Sequence, residues 1–243
     1  MKISICLPSV RWDSVQINYQ SLLKQTFPQR DFEVLICAPF NRFEFTNVRW
    51  LDNPSKNPGD YYSLMKSWNR LFSNAKGELF VTVCDNEWID REALERLWNR
   101  YEENPRALVS GIGNHYRDVL SDGIGIDLVA PDVRPSQMLK RFQMSSVANC
   151  DQALCSIPRR AVYDVGGVEE EFDKVASNGE QEMLERMIQA GYTTWVDQDV
   201  KYVAKYHERL NVDWNRKFAE GRELYFKYKP SILAGDRLKL EYI

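Results

Sequence analysis

An apolar run, Leu79-Phe80-Val81-Thr82-Val83-Cys84, ends on Asp85-Asn86-Glu87, two carboxylates separated by one residue. A run of that length, β-branched near its end, reads as a buried parallel strand. In open α/β sheets, ligands gather at the carboxyl ends of strands, so both acids project where chemistry usually happens. Two oxygen ligands from one turn suit a hard divalent cation, Mn2+ or Mg2+, that keeps most of its shell for water and phosphate. An enzyme acting on an activated nucleotide compound needs that arrangement. Acids after a strand also form turns or cap the next helix. Asp90 already stands at the N-cap position of that helix, in which Ala93, Leu94, Leu97, Trp98 and Tyr101 form one apolar stripe. The capping role is thus filled, and spacing alone leaves metal site and turn both open.

The elements that must position these acids alternate along the first half. Strands are predicted at 3–7, 32–37 and 48–51, then in the run that ends at Asp85; helices are predicted at 15–25 and 61–75 and from Asp90 onward. Such alternation predicts an α/β fold with a mostly parallel sheet covered on both faces. Beyond Pro105 the pattern loosens. A strand is expected at 108–110, a Gly-, Asp- and Pro-rich stretch at 111–135, and a strand at 153–157. Helices at 160–165 and 178–190 follow, then short strands at 194–196 and 200–204 and a closing helix at 213–229. With no repeat and no long linker, the expectation is one domain of 243 residues: a nucleotide half (1–105), an acceptor half (106–210) and a helical extension (211–243).

At 44% hydrophobic and 12% aromatic, the chain can build a proper core. A net charge of -3 argues against indiscriminate nucleic-acid binding, although it leaves a local basic groove, and a modified nucleic acid as acceptor, open. From 201 to 243 there are ten Lys/Arg against six Asp/Glu, which fits either a polyanionic ligand or a solvated helix face. No run approaches a membrane span, and the N-terminus reads as neither signal nor transit peptide. The five cysteines show no metal or redox spacing, and Cys6, Cys37 and Cys84 fall in predicted buried strands. A reduced, cytoplasmic protein is the expectation.

Several segments, in order and spacing, resemble the family 2 glycosyltransferases of the GT-A fold over residues 1–210. Ile5-Cys6-Leu7-Pro8-Ser9 echoes their opening strand, and Ser21-Leu22-Leu23-Lys24-Gln25-Thr26 their first helix end. Asn69 stands at the family spacing from Ala75-Lys76-Gly77-Glu78, and Asp85-Asn86-Glu87 occupies the place of the Asp-x-Asp motif. Arg159-Arg160 and Val165-Gly166-Gly167 are similar to the segment leading to the acceptor site. Aligned on Arg186 and Gly191-Tyr192, Glu180 takes the position of the general base, and His207 that of the histidine completing the metal site.

The resemblance implies a metal-dependent, inverting hexosyltransferase that moves a sugar from a nucleotide-sugar donor to an acceptor hydroxyl on a glycan or other polymer. It implies a cation held by Asp85, Glu87 and His207, a nucleotide cleft lined by Pro8, Ser9, Lys66, Asn69 and Asp85, and Glu180 as base. In one place the chain departs from the family. Where members end the second strand on two aspartates, one contacting the base, it has Cys37-Ala38-Pro39-Phe40-Asn41. Base recognition then falls to backbone groups, Asn41, Asp52 or Asp60, and the nucleotide stays open.

Each of these residues has a structural rival. Ser177-x-x-Glu180 reads as a capping box, yet Glu180 shares a helical face with Met183, Leu184 and Met187 and so points inward. His207 follows the last predicted strand, whereas His115 has no partner motif. Arg159 and Arg160 are candidate acceptor or phosphate contacts, one of them a candidate partner of the Glu169–Glu171 run, itself expected to be a solvated turn. Trp12, Tyr61, Tyr62, Trp68, Trp88 and Trp195 are stacking candidates among mostly core aromatics. Two other functions remain: a catalytically silent glycan- or nucleotide-binding relative, and a nucleotidyltransferase making the activated sugar. The latter needs a Gly-rich basic loop after the first strand, which Pro8-Ser9-Val10-Arg11-Trp12-Asp13 is not.

Overall fold

The computed structural model describes residues 1–40, 45–60, 63–150, 152–175, 177–206 and 213–243, with only the backbone of Trp214. Asn41, Tyr61, Tyr62 and His207 therefore lie outside the described residues. In chain order the elements are β1 (Ile3–Pro8), α1 (Trp12–Leu23), β2 (Phe32–Ala38), β3 (Val48–Asp52), α2 (Leu64–Asn74) and β4 (Leu79–Val83). Then come β5 (Glu87–Ile89), α3 (Ala93–Glu103), β6 (Ala107–Val119), β7 (Gly125–Ala130), α4 (Arg134–Gln137) and β8 (Phe142–Met144). The chain finishes with β9 (Leu154–Pro158), α5 (Arg159–Val165), α6 (Gly179–Gln189), β10 (Thr193–Lys205) and α7 (Trp214–Leu233).

The strands form one ten-stranded sheet in the order β3-β2-β1-β4-β9-β6-β10-β5, with β7 beside β6 and β8 beside β10. The run β3-β2-β1-β4 is wholly parallel. β9 runs against both β4 and β6, which returns β6 and its parallel partner β10 to the direction of β1. The sheet is thus mostly parallel, with β5, β7, β8 and β9 reversed.

Period-two alternation divides the core between two faces. Ile3, Ile5 and Leu7 of β1 point to one face, where α1 and α3 cover them through Val15, Leu22, Leu94 and Leu97. Cys6, Leu35 and Cys37 point to the other, packed by Trp68 and Phe72 of α2, Val162 of α5 and Met183 and Met187 of α6. No helix of the described residues is long and apolar enough to cross a membrane.

Four expectations change. The stretch 111–135 is mostly strand, because β6 continues to Val119 and turns back as β7. The two short strands expected at 194–204 are one strand, β10, with a register shift between Val196 and Lys201. There Asp197, almost fully buried, receives Nε of Arg100 at 2.8 Å. Cys84 lies beyond the end of β4 and is exposed, not buried. The chain enters α6 through Asn178 in the left-handed region (φ 74°); its side chain caps no backbone N–H of the helix, Ser177 Oγ donates to Asn178 Oδ1 at 2.7 Å, and the N-cap is thus Asn178 and not the Ser177 that the expected capping box needs.

Candidate active site

The acidic turn is held from several sides. Asn86 takes a left-handed conformation (φ 72°), which asparagine tolerates better than most residues and which folds the chain sharply between β4 and β5. The side-chain amide of Asn18, fully buried on α1, donates to the carbonyls of Cys84 (3.0 Å) and Glu87 (2.9 Å). The Cys84 N–H donates to Ala153 O at 3.0 Å, and the Lys205 N–H to Asn86 O at 2.8 Å. Asp85 and Glu87 thus stand on a turn pinned by α1, β10 and the entry to β9, the rigid support a precise site requires. Asn18 is a positioning residue that nothing in the sequence pattern singled out.

Ser9 and Asp85 meet at the carboxyl end of the sheet, where Ser9 Oγ donates to Asp85 Oδ2 at 2.7 Å. Arg11 was not anticipated. Its Nε reaches Oδ2 at 3.1 Å and its Nη2 pairs with Oδ1, giving the two-pronged geometry favoured between guanidinium and carboxylate. The Asp85 side chain is 10% exposed and that of Arg11 39%, so the pair sits at a rim where water competes with it. Glu87 is buried behind the turn. Two carboxylates with a hydroxyl nearby are oxygen donors of the kind a hard cation takes. Among the described residues, no three His, Cys, Asp or Glu side chains gather as a metal site. The residues fit a cation only if Arg11 yields Asp85 to it.

The other nucleotide-cleft candidates separate. Pro8 is buried at the end of β1. Lys66 pairs with Asp60 in the rim after β3; burial alone would raise the Asp60 carboxyl, but Lys66 and the Asn57 N–H hold it below its ordinary value. Asn69 lines neither of the two cavities described below. It is buried, donates to Val168 O (2.9 Å) and Glu170 Oε1 (3.0 Å), and accepts from the Val168 N–H (2.8 Å), so it braces the segment after α5. Asp52 ends β3 in an exposed position.

A cleft of about 850 Å³ opens beside the acidic turn, lined by Cys84, His115, Gln152, Glu180, Gln181 and Arg222 among others. Glu180, half-buried in the first turn of α6, is among its lining residues. The helical extension is part of its wall. α7 presses so close that a Cβ on Gly221 would lie 2.7 Å from Ser177 O, and Tyr225 Oη donates to Glu185 at 2.7 Å. A somewhat larger cavity, about 970 Å³, lies between Trp88, Lys24 and the β6–β7 hairpin. It touches neither Cys84 nor Glu180.

The remaining acids nearby have structural partners. Glu182 and Arg186 form a fully buried pair at 2.8 Å. Asp173 accepts the N–H groups of Met65 (2.8 Å) and Lys66 (3.2 Å), capping α2 from a distance; burial pushes its carboxyl above the ordinary value against those two bonds. The Glu169–Glu171 run is no solvated turn: Glu169 is buried and bound by Arg237 and by Tyr242 Oη (2.7 Å). Arg159 stacks over Tyr163, and Arg160 pairs with Asp164 at 2.6 Å, so neither meets that run. The stacking candidates are largely engaged within the fold: Trp68 packs on Phe72, Trp195 on Phe142, and Trp12 on Phe45.

No family model matches the chain, and no curated protein matches it. Solved structures do. S. aureus TarS 1–349 in complex with UDP superposes with a TM-score of 0.65 at 18% identity, covering 97% of this chain and 70% of that one. The structure titled S. aureus TarS gives the same TM-score and identity, with 97% of this chain covering 43% of that one. What the chain shares with TarS at this identity is its fold.

Proposed function

We propose that the chain is a GT-A glycosyltransferase, of the family 2 type, that transfers a sugar from a nucleotide-sugar donor to an acceptor hydroxyl. The observation that supports this reading is that Glu180 lines the same cleft as Cys84, the residue that leads into the pinned Asp85-Asn86-Glu87 turn. The likeness of fold to UDP-bound TarS supports a uridine diphosphate sugar as the first donor to try.

In this reading Ser9 and the end of β1 receive the diphosphate side of the donor. Asp85 and Glu87, joined by His207, would hold Mn2+ or Mg2+, which when bound supplies neutralising charge for the departing nucleoside diphosphate. Arg11, released from Asp85, turns its guanidinium to the phosphate oxygens, which it can grip in the same two-pronged way. Glu180 takes the proton of the acceptor hydroxyl as that oxygen bonds to the anomeric carbon. The bond from that carbon to the diphosphate oxygen breaks with its electron pair leaving on the diphosphate, and the anomeric centre inverts.

Glu180→Gln tests the base. The amide keeps the shape but has no usable basicity, and losing such catalysis lowers turnover about a hundredfold to ten-thousandfold. Donor binding should be nearly unchanged while transfer falls by that amount. Near-wild-type transfer would reduce Glu180 to a structural residue, and Glu182 on the same helix and Asp173 before it are already engaged with Arg186 and with the start of α2. One observation favours a second reading. Arg11 holds Asp85 from two sides, as suits a relative that binds nucleotide or glycan without catalysis. Donor hydrolysis measured with and without manganese separates the two.

A further inference from the structure

Gln152 is 6% exposed, and neither its Oε1 nor its Nε2 has a hydrogen-bond partner among the described residues. It lines the cleft that Cys84 and Glu180 share. Its neighbour Ala153 accepts the Cys84 N–H at 3.0 Å, and β9 continues the pairing with β4 at Leu154–Val83. Gln152 therefore stands beside the acidic turn on a fixed piece of backbone. Burying a primary amide with both ends unmatched is unfavourable, and folded proteins seldom keep such a group without a role. The indole N–H groups of Trp68 and Trp98 also lack partners, but each belongs to one of the two cores and lines neither cavity.

We infer that Gln152 reads the hydroxyl groups of a sugar ring seated in this cleft. A carboxamide presents an acceptor and two donors in one plane. A hydroxyl is both donor and acceptor, so a pair of adjacent ring hydroxyls satisfies both ends of the amide at once. The group carries no charge and would give an ionic ligand no special advantage. A site built to hydrogen-bond hydroxyls rejects a ligand lacking them, because its own buried groups are then left unmatched. The inference rests on the glycosyltransferase reading only in supposing that the ring arrives either on the donor or on the acceptor.

The test compares wild type with Gln152→Met, which is close in length and shape, and with Gln152→Glu, which keeps acceptors and loses both donors. The probes are UDP, a panel of UDP-hexoses, and a panel of simple methyl hexosides. UDP affinity of the neutral variant Gln152→Met should stay within about twofold, whereas the sugar-bearing probe that wild type prefers should weaken by at least about tenfold in both variants, the usual penalty for hydrogen bonds lost at a buried amide. Loss confined to UDP-hexoses over UDP assigns the ring to the donor; loss among the methyl hexosides assigns it to the acceptor. The melting temperature of Gln152→Met should equal or exceed that of wild type, since an unmatched buried amide has been removed. Sugar-bearing probes bound equally by wild type and both variants would overturn the inference, as would a clear fall in the Gln152→Met melting temperature. Wild type that ignores UDP but binds hexosides through Gln152 would sink the nucleotide reading and leave this one standing.

Discussion

Glu180 and Glu182 stand two residues apart at the start of α6, yet one faces the cleft and the other is sealed within the protein. On the sealed side every charge is answered. Arg186, fully buried, donates to both oxygens of Glu182 and to the carbonyls of Val165 (2.6 Å) and Gly167 (2.7 Å). Arg237 reaches Glu182 at 3.4 Å and also binds Glu169, which Tyr242 joins at 2.7 Å. These contacts fasten the last residues of the chain against α5 and α6. The packing there is close enough that a Cβ on Gly166 (φ 71°) would lie 1.7 Å from Leu240 O. On the cleft side, Gln152 has no hydrogen-bond partner among the described residues, and near it the Arg11–Asp85 pair lies at a water-accessible rim. A fully satisfied network of buried charge rigidifies the scaffold, and the proposed ligand contacts lie outside it.

Three experiments can break or sharpen that contrast. Arg186→Met should have the largest effect. It leaves Glu182 buried with only the distant Arg237, and removing one partner of a buried pair costs about 3–5 kcal/mol. Denaturant unfolding should show the loss; a change below about 1 kcal/mol, the range of surface pairs, would mean the network is not structural. Asp173→Ala comes next. It strips two N–H partners from the start of α2 and should cost about 1–2 kcal/mol, the usual price of a lost cap, with UDP affinity intact. A selective loss of UDP binding would instead move Asp173 into the site.

The smallest effect concerns acid. Burial alone would raise the Glu169 carboxyl, but Tyr242, the Glu171 N–H and Arg237 hold it below its ordinary value. A carboxyl depressed in the folded state contributes stability above its unfolded pKa, about 4.3, and that stability is lost as pH falls through the folded value. Glu169→Gln should therefore flatten the acid side of the stability–pH curve and leave the shape of its neutral region unaltered. An unchanged acid slope would show that Glu169 is not held as described.

The first half of the chain was legible because its apolar positions recur with clean strand and helix periods, so β1 to β4 and α1 to α3 emerge close to their predicted places. The second half was less so. Gly111, Gly113, Asn114, Arg117 and Asp118 give β6 no apolar alternation, and its pairing with β10 and β7 is a backbone matter. The acidic turn stood out by type and spacing, and Glu180 by its position in the family resemblance. Arg11, Asn18 and Gln152 did not, because their meaning comes from neighbours 74, 66 and 69, and 28 residues away. Asn69 misled for the converse reason: its spacing matched a motif, while its amide is wholly taken up by the segment after α5.

The central claim, that the Asp85 turn receives a nucleoside diphosphate, is most directly tested by melting temperature. Wild type and Asp85→Asn would each be heated alone, with UDP, and with UDP plus manganese. A ligand that binds only the native state at a hundred times its Kd adds about 2.7 kcal/mol of stability, a readily measured shift. Asp85→Asn should melt close to wild type when unliganded, because the Arg11 pair it breaks lies at the rim. Wild type should gain with UDP and gain further with manganese, and Asp85→Asn should lose the manganese-dependent increment. No increment in wild type, or an equal one in Asp85→Asn, would contradict the account.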